Sequence, residues 1–408
     1  MSSRLKLIEG IRAYLALWVL VCHVLWMSGY TEDVLSGPAK LLVQGRCAVD
    51  VFIIISGFVI FFVLDKQKEG WQPFLIRRFF RLFPLFMVMF LAAIAVSRLT
   101  SWNVEYLGKY WRPDQAQFMG ALIDSWWRNL HWHLPLHLLM LHGTVPQTIL
   151  PDSPGAFLFP GWSVSLEWQF YLVAPLAFLL ATSSKAFHRT GLCVACALLF
   201  VGARRIFPYV NFGAALPFHV EFFFIGSASY FLYKRNSEQN ISRTWFPVCC
   251  AIALFLLAVG SRSLLVVPIA LWVAFLGLLL ENPASLPAGS LSRLFTSPFI
   301  QFLGRISYSI YLAHVLVIAL MQRALLICIP QLTRIAHFWA LLAASIAVTI
   351  AVSAVLYHFI EAPAMRLGRL FARKLASPSE FSPVEAIAQA QAAPAPQPRP
   401  AGLIITQQ

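Results

Sequence analysis

Charged residues are scarce in this chain. They make up 12% of its 408 residues, whereas 59% are hydrophobic and the mean hydropathy is +0.72. Soluble domains carry about twice that charged fraction, so this composition excludes an ordinary water-soluble fold. It indicates instead an all-α, polytopic membrane protein, because helices satisfy their own backbone hydrogen bonds inside a bilayer.

Cysteine is also uncommon, and the seven cysteines are scattered, mostly within apolar segments. Cys193 and Cys196 form a C-x-x-C pair, but it lies inside an apolar segment predicted to be helical, where thiols pack as small apolar groups. We therefore expect neither a disulfide framework nor a redox site. The sequence has no visible internal repeat, which argues against the pseudo-symmetric halves typical of many transporters.

Acidic residues are outnumbered, with 17 Asp and Glu against 31 Lys and Arg and a formal net charge of +14. The basic residues lie in short loops between apolar runs rather than in one patch. Such loops orient membrane proteins and contact anionic lipid, so we expect membrane lipid as a partner and no nucleic acid. The loops on the side of the N-terminus hold most of these residues. This bias predicts a multi-pass membrane protein with both termini in the cytoplasm.

About ten transmembrane helices, joined by short loops around a central cavity, are predicted for a domain covering residues 1–375. Residues 376–408, rich in Ala, Pro and Gln, are predicted to form a disordered cytoplasmic tail. Residues 130–143, LHWHLPLHLLMLHG, are too short to span comfortably and are expected to form a re-entrant or interfacial helix on the outer side. The predicted spans are 8–30, 47–65, 80–99, 162–182, 190–203, 214–234, 245–260, 263–281, 302–325 and 337–360.

The first predicted span carries ionisable residues that are costly to keep at membrane depth. Arg12 and His23 are eleven residues apart, so a straight helix places them on one face within ~20° and ~16 Å apart along its axis. One interpretation is a functional stripe facing a wet cavity. The other is an arginine that reaches the lipid headgroups and a histidine bonded to a backbone carbonyl.

A cluster of arginines lies at the start of the third predicted span, in the segment FLIRRFFRLFP (74–84). Arg77, Arg78 and Arg81 share one helical face. Together with Arg12 they would form a cationic mouth suited to a polyphosphate ligand, because guanidinium groups bind phosphate in a bidentate manner. Ordinary anchoring by positive residues at the cytoplasmic surface is the alternative.

Two carboxylates are candidates for acting with His23. Asp50, at the outer end of the second span, would reach the imidazole and fix its tautomer, or would cap its own helix. Glu167 shares a helical face with Ser163 and Tyr171 in GWSVSLEWQFY, and would bond an incoming hydroxyl, polarise His23 or tie two helices together.

Further polar residues lie in the last spans and in the predicted outer helix. Glu361 is expected to pair with an arginine of the cationic mouth. Ser307, Tyr311 and His314 share one stripe, and the role of His314 is left open between cavity lining and helix contact. No metal is expected, because the spacing of the remaining candidates fits no standard metal motif. These candidates are His131, His133, His137 and His142.

Several of these segments resemble those of the acyltransferase-3 family of integral membrane acyltransferases. IEGIRAYLALWVLVCHV is similar to that family's first helix, LDGLRGxAAxxVxxxH, and AVDVFIIISGFVI is similar to GVDLFFVLSGFLI. Arg78 and Arg81 form its RxxR, and GWSVSLEWQFYLVAP, LGRISYSIYLAHV and FIEAP resemble its later segments. The matches run in order from about residue 7 to 365. Glu9 stands where Asp is usual and Ala48 where Gly is usual.

The resemblance implies transfer of an acyl group, most often acetyl, from cytoplasmic acyl-CoA to a hydroxyl of a cell-envelope or exported glycan. Arg12, Arg78 and Arg81 would hold the CoA phosphates. His23 would accept the hydroxyl proton or carry the acyl group, with Asp50 and Glu167 orienting or binding on the outer side. The competing class is a polysaccharide or lipid transporter or flippase, in which buried Arg and His form a substrate or proton path.

Overall fold

The computed structural model describes residues 3–67, 70–101, 113–206, 213–239, 245–259, 266–281 and 289–375. The regular structure in these ranges is helical, so the all-α class is confirmed. The helices are α1 (Ser3–Met27), α2 (Gly45–Gln67), α3 (Trp71–Ser101), α4 (Pro113–Arg128), α5 (Leu130–Leu138), α6 (Gly161–Thr182), α7 (Ala186–Ile206), α8 (Val220–Gln239), α9 (Trp245–Val259), α10 (Val266–Leu280), α11 (Gly289–Thr296), α12 (Pro298–Arg305), α13 (Ser307–Cys328), α14 (Arg334–Leu356) and α15 (Ala362–Leu375).

Nine of the ten predicted spans each overlap one of these helices, and the span 302–325 overlaps both α12 and α13. Seven helical stretches in the described ranges are long and apolar enough to cross a bilayer: α1, α2, α3, α6, α7, α13 and the continuous run Arg334–Leu375. The apolar helices α9 and α10 are shorter. Helix α8 begins at Val220 and overlaps the predicted span 214–234 in part. It carries four charged residues and is not among the helices apolar enough to cross a bilayer.

Helix α2 lies at the centre of the bundle, in contact with α1, α6, α8 and α10. Its approach to α8 is close because glycines face the opposite backbone. A Cβ added to Gly226 would collide with the carbonyl of Ile54, and one added to Gly57 would collide with the carbonyl of Phe223. Small residues at such crossings let membrane helices pack by direct backbone contact.

Helix α5 occupies the predicted re-entrant segment. Its nine residues extend ~14 Å, about half the thickness of the hydrocarbon core, so this helix is too short to span. The segment is fixed to α3 by aromatic stacking: the His137 ring lies 4.2 Å from the Phe90 ring, and the His142 ring lies 5.4 Å from the Phe86 ring.

The last membrane helix is interrupted by one π-helical turn, Tyr357–Glu361, which joins α14 to α15. Such turns often occur at functional sites because they redirect the side chains that follow. Here the turn places Glu361 against α3 and α13, and α15 then packs along α3. The predicted tail, 376–408, lies outside the described residues, so the domain boundary at 375 stays a prediction.

Candidate active site

Three arginines from two helices line one cavity inside the bundle. Arg12 comes from α1, and Arg78 and Arg81 come from successive turns of α3. The cavity has a volume of about 120 Å³. We call it the inner cavity. The Nε atoms of Arg12 and Arg78 are buried and make no hydrogen bond within the described part of the chain. Buried polar atoms are normally satisfied, so these two are suited to an anionic ligand.

Arg81 is held in place by Glu361, as the sequence predicted. Its Nη1 donates to the Glu361 carboxylate and lies 3.8 Å from the sulfur of Met365. The second Glu361 oxygen accepts a hydrogen bond of 2.6 Å from the Ser309 hydroxyl. The guanidinium also lies over the Tyr308 ring, at 5.1 Å. The π-helical turn therefore contributes the residue that fixes one arginine of the inner cavity.

Glu167 also lines the inner cavity, which differs from its expected position on the outer side near His23. It accepts hydrogen bonds from the Tyr171 hydroxyl and, at 3.1 Å, from the Ser56 hydroxyl. The physical reason is depth: Glu167 lies six residues, ~9 Å, beyond Gly161, where α6 begins. That distance carries its carboxylate to the level of Ser56 and of the arginines.

His23 lines a second and larger cavity of about 780 Å³, which we call the outer cavity. Its Nδ1 lies 2.8 Å from the carbonyl of Val19 and 3.3 Å from Nε2 of His314. The edge of its ring faces Phe159, with 5.7 Å between ring centroids. His23 thus faces a cavity within the protein, and it also makes the backbone bond that the alternative interpretation anticipated.

Asp50 is placed differently from its predicted contact with His23. It is buried and lies 3.5 Å from Nε of Arg46, one helical turn earlier on α2. Arg46 lines the outer cavity, and its guanidinium lies 4.9 Å from the centre of the Trp162 ring. Asp50 therefore orients a cavity arginine. The expected bond to His23 is replaced by the bonds of His23 to Val19 and His314.

The central cavity expected from the sequence is divided in two. Val49 and Tyr311 line both the inner and the outer cavity, so their side chains form a shared wall. The Tyr311 hydroxyl accepts a hydrogen bond of 2.9 Å from Ser163, and the Tyr311 ring lies 6.2 Å from the Phe52 ring. Arg12 and His23 share one helix but face different sides of this wall.

The outer cavity is lined by indole rings and by one half-buried carboxyl in the loop before α6. Trp26, Trp126 and Trp162 contribute the rings, and Asp152 contributes the carboxyl. Burial raises the pKa of Asp152 to about 6, so the group titrates near neutral pH. A wall that combines aromatic surface with a few polar groups is typical of small-molecule sites.

The histidines near α5 form an aromatic stack. His137 and His142 lie face to face with 4.0 Å between ring centroids, and burial lowers the pKa of His142 to about 4. In the described ranges, no group of three or more His, Cys, Asp or Glu is arranged to hold a metal ion.

A family model described as an acyltransferase domain matches residues 5–358, which is most of the chain. The chain belongs to the acyltransferase-3 family.

Three curated relatives have similar sequences. The chain is 27% identical over 397 residues to the peptidoglycan O-acetyltransferase OatA of Listeria monocytogenes, a match that covers 88% of this chain and 56% of that protein. It is 29% identical over 175 residues to the acyltransferase MdmB of Streptomyces mycarofaciens, covering 42% and 39% respectively. A putative acetyltransferase, ORF330, of Acidianus two-tailed virus is 25% identical over 320 residues, covering 76% and 82%.

The first two of these relatives are therefore matched over less than two thirds of their own length. No solved structure matches the chain.

Three residues of the candidate site were not assigned roles from the sequence. His314 contacts His23, Tyr311 separates the two cavities, and Ser56 bonds Glu167. The signal for the first two was their shared stripe on α13, which indicated that they face the same way but not what they face. Ser56 follows an apolar run and carries no comparable signal.

Proposed function

We propose that this acyltransferase-3 member transfers an acetyl group from cytoplasmic acetyl-CoA, or another acyl-CoA, to a hydroxyl of a cell-envelope or exported glycan. It would act as a multi-pass protein of the bacterial inner membrane with both termini in the cytoplasm. The observation that carries the proposal is the pairing of two sites. Three arginines converge in the inner cavity, and a histidine faces a larger cavity behind a shared wall.

The inner cavity is the proposed site of the CoA phosphates. Arg12 and Arg78 have buried Nε atoms without partners in the described chain, and Arg81 is fixed by Glu361. Guanidinium groups bind phosphate oxygens through paired, charge-assisted hydrogen bonds. The pantetheine arm would then extend toward Tyr311. The ~16 Å from Arg12 to His23 along α1 is comparable with the length of that arm.

His23 is the proposed general base. A carbonyl oxygen only accepts hydrogen bonds, so the contact with Val19 places the proton of the neutral imidazole on Nδ1 and leaves the lone pair on Nε2. Nε2 would take the proton of the acceptor hydroxyl while the hydroxyl oxygen attacks the thioester carbonyl. The C–S bond then breaks, and the imidazolium returns the proton to the departing CoA thiolate.

The outer cavity is the proposed acceptor site. Its volume of about 780 Å³ lies within the range of small-molecule sites. Trp126 and Trp162 offer flat apolar surfaces for sugar rings, and Asp152 and Arg46 offer hydrogen bonds to hydroxyls. The relative named a peptidoglycan O-acetyltransferase supports acetyl as the group and a glycan as the acceptor.

Activity with purified protein tests this function. The wild-type chain in detergent or vesicles should transfer labelled acetyl from acetyl-CoA to a glycan acceptor. His23→Gln should lower kcat by roughly 10²–10⁴-fold, the usual contribution of a general base. His131→Gln, at an exposed histidine outside both cavities, serves as the matched control and should retain activity. Full activity of the His23 variant would contradict the proposal.

A deletion strain separates the enzyme from the flippase alternative. Loss of acetyl groups from a surface glycan that is still exported supports acyl transfer. Loss of the polymer itself from the surface supports a transporter. Mass analysis of the surface glycans distinguishes the two results.

A further inference from the structure

His314 is a fully buried histidine of α13 that contacts His23 of the neighbouring helix α1. Its Nε2 lies 3.3 Å from Nδ1 of His23, and the two rings meet edge to face with 4.9 Å between centroids. Its other ring nitrogen, Nδ1, lies 3.2 Å from the carbonyl of Ile310. Within the described residues, Nε2 of His23 is thus the one nitrogen of the pair without a polar contact.

These contacts fix the protonation of the pair. Because carbonyl oxygens accept, Nδ1 of each neutral imidazole carries the hydrogen, donated to Val19 or to Ile310. Nε2 of His314 then carries a lone pair. The Nδ1–H group of His23 donates both to this nitrogen and to the Val19 carbonyl. The free lone pair of His23 is on Nε2, the nitrogen that must act as the base.

We propose that His314 is a positioning residue that holds His23 in this tautomer and stabilises the imidazolium formed when His23 takes the hydroxyl proton. This inference rests on the proposed function. The proton moves from the acceptor hydroxyl to Nε2 of His23 and then to the CoA thiolate. His314 only shares the Nδ1–H of His23 and finishes the cycle unchanged.

The position is the one that a carboxylate occupies in a Ser-His-Asp triad. In the described chain, the hydrogen-bond partners of the pair are backbone carbonyls and each other. The other charged and titratable side chains that line the outer cavity with the pair are Cys22 from α1, Arg46 from α2, Asp152 from the loop before α6 and Tyr311 from α13. A neutral imidazole can accept the same hydrogen bond without the desolvation cost of a buried carboxylate.

Two substitutions of His314 separate positioning from packing. His314→Leu fills the space but accepts no hydrogen bond, whereas His314→Gln keeps an acceptor oxygen. For the leucine variant we expect kcat to fall about 10- to 100-fold, the range seen when a metal-bound imidazole loses the partner of its second nitrogen. The KM for acetyl-CoA should not change, because the substitution leaves the three arginines of the inner cavity in place. The glutamine variant should recover part of kcat, and His337→Leu, at a buried histidine of α14, is the control.

Every result with the His314 variants supports or contradicts the positioning role. Unchanged kcat in His314→Leu, or equal loss in both His314 variants with no recovery by Gln, would overturn the inference while the wild type still transfers acetyl. A wild type without transfer would instead refute the proposed function. If neither variant folds, ¹⁵N spectra of histidine-labelled wild-type protein provide the readout. They should show His23 protonated on Nδ1, and an Nε2–H signal for His23 would refute the assignment.

Discussion

Removal of the Glu361 carboxylate should reduce both the stability of the protein and its affinity for the acyl donor. In Glu361→Ala, the Arg81 guanidinium loses its ion partner while its side chain stays only 19% exposed. Removing one partner of a buried ion pair costs about 3–5 kcal/mol, because the remaining charge is desolvated and uncompensated. Glu361→Gln keeps an acceptor oxygen for Arg81 but also removes the negative charge, so we expect a smaller cost of about 1.5–3 kcal/mol, the usual worth of a hydrogen bond to a charged group.

The matched control is a less buried ion pair elsewhere in the bundle. Lys234 and Asp65 are separated by 2.8 Å, and the lysine side chain is 34% exposed. Lys234→Met should cost only about 1 kcal/mol, because Asp65 is 17% exposed, unlike the fully buried Glu361, and keeps the hydrogen bond from the Tyr230 hydroxyl. Unfolding in detergent, followed by circular dichroism, gives the stabilities, and acetyl-CoA titration gives the donor KM. If Glu361→Ala is no less stable than Lys234→Met and keeps the wild-type KM, the assigned role of Glu361 is wrong.

Two further predictions concern the helix crossing and the loop before α6. Gly226→Ala should lower the thermal stability of the bundle, because the new methyl group meets the Ile54 carbonyl, whereas Gly191→Ala on α7 meets nothing and should be neutral; thermal unfolding of both variants tests this. Asp152→Asn should stabilise the protein at pH 7 and leave it unchanged at pH 4. The raised pKa of about 6 makes the protonated carboxyl stabilising, and that contribution is lost as pH rises from about 4 through 6. Equal unfolding temperatures of wild type and Asp152→Asn at both pH values would contradict it.

Residue spacing within one helix predicted which side chains share a face. Arg78 and Arg81 point into one cavity, and Glu167 bonds Tyr171 one turn later, as helical periodicity requires. The pairing of Glu361 with an arginine followed from its expected depth near the cytoplasmic surface. These features depend on helical periodicity and on the position of each residue along its apolar span, and both can be read from the sequence.

Contacts between distant helices were beyond that reasoning. Asp50 was expected to contact His23. Instead it contacts Arg46, which lies one turn earlier on the same helix. His314 reaches His23 although 291 residues separate them in the chain. Spacing sets the rotation of each helix face, whereas the tilt and depth at which two faces meet depend on packing of the whole bundle.

The wall formed by Val49 and Tyr311 matters for ion leakage across a membrane that carries an electrical potential. A water-filled passage from one surface to the other would let protons flow down the membrane potential, which is worth about 2.3 kcal/mol per charge at 100 mV. With the inner cavity facing the cytoplasm and the outer cavity facing the other side, as proposed, a closed wall keeps the membrane electrically sealed. In the proposed function, only the thin thioester arm needs to pass Tyr311, so the acyl group would cross the bilayer while ions would not.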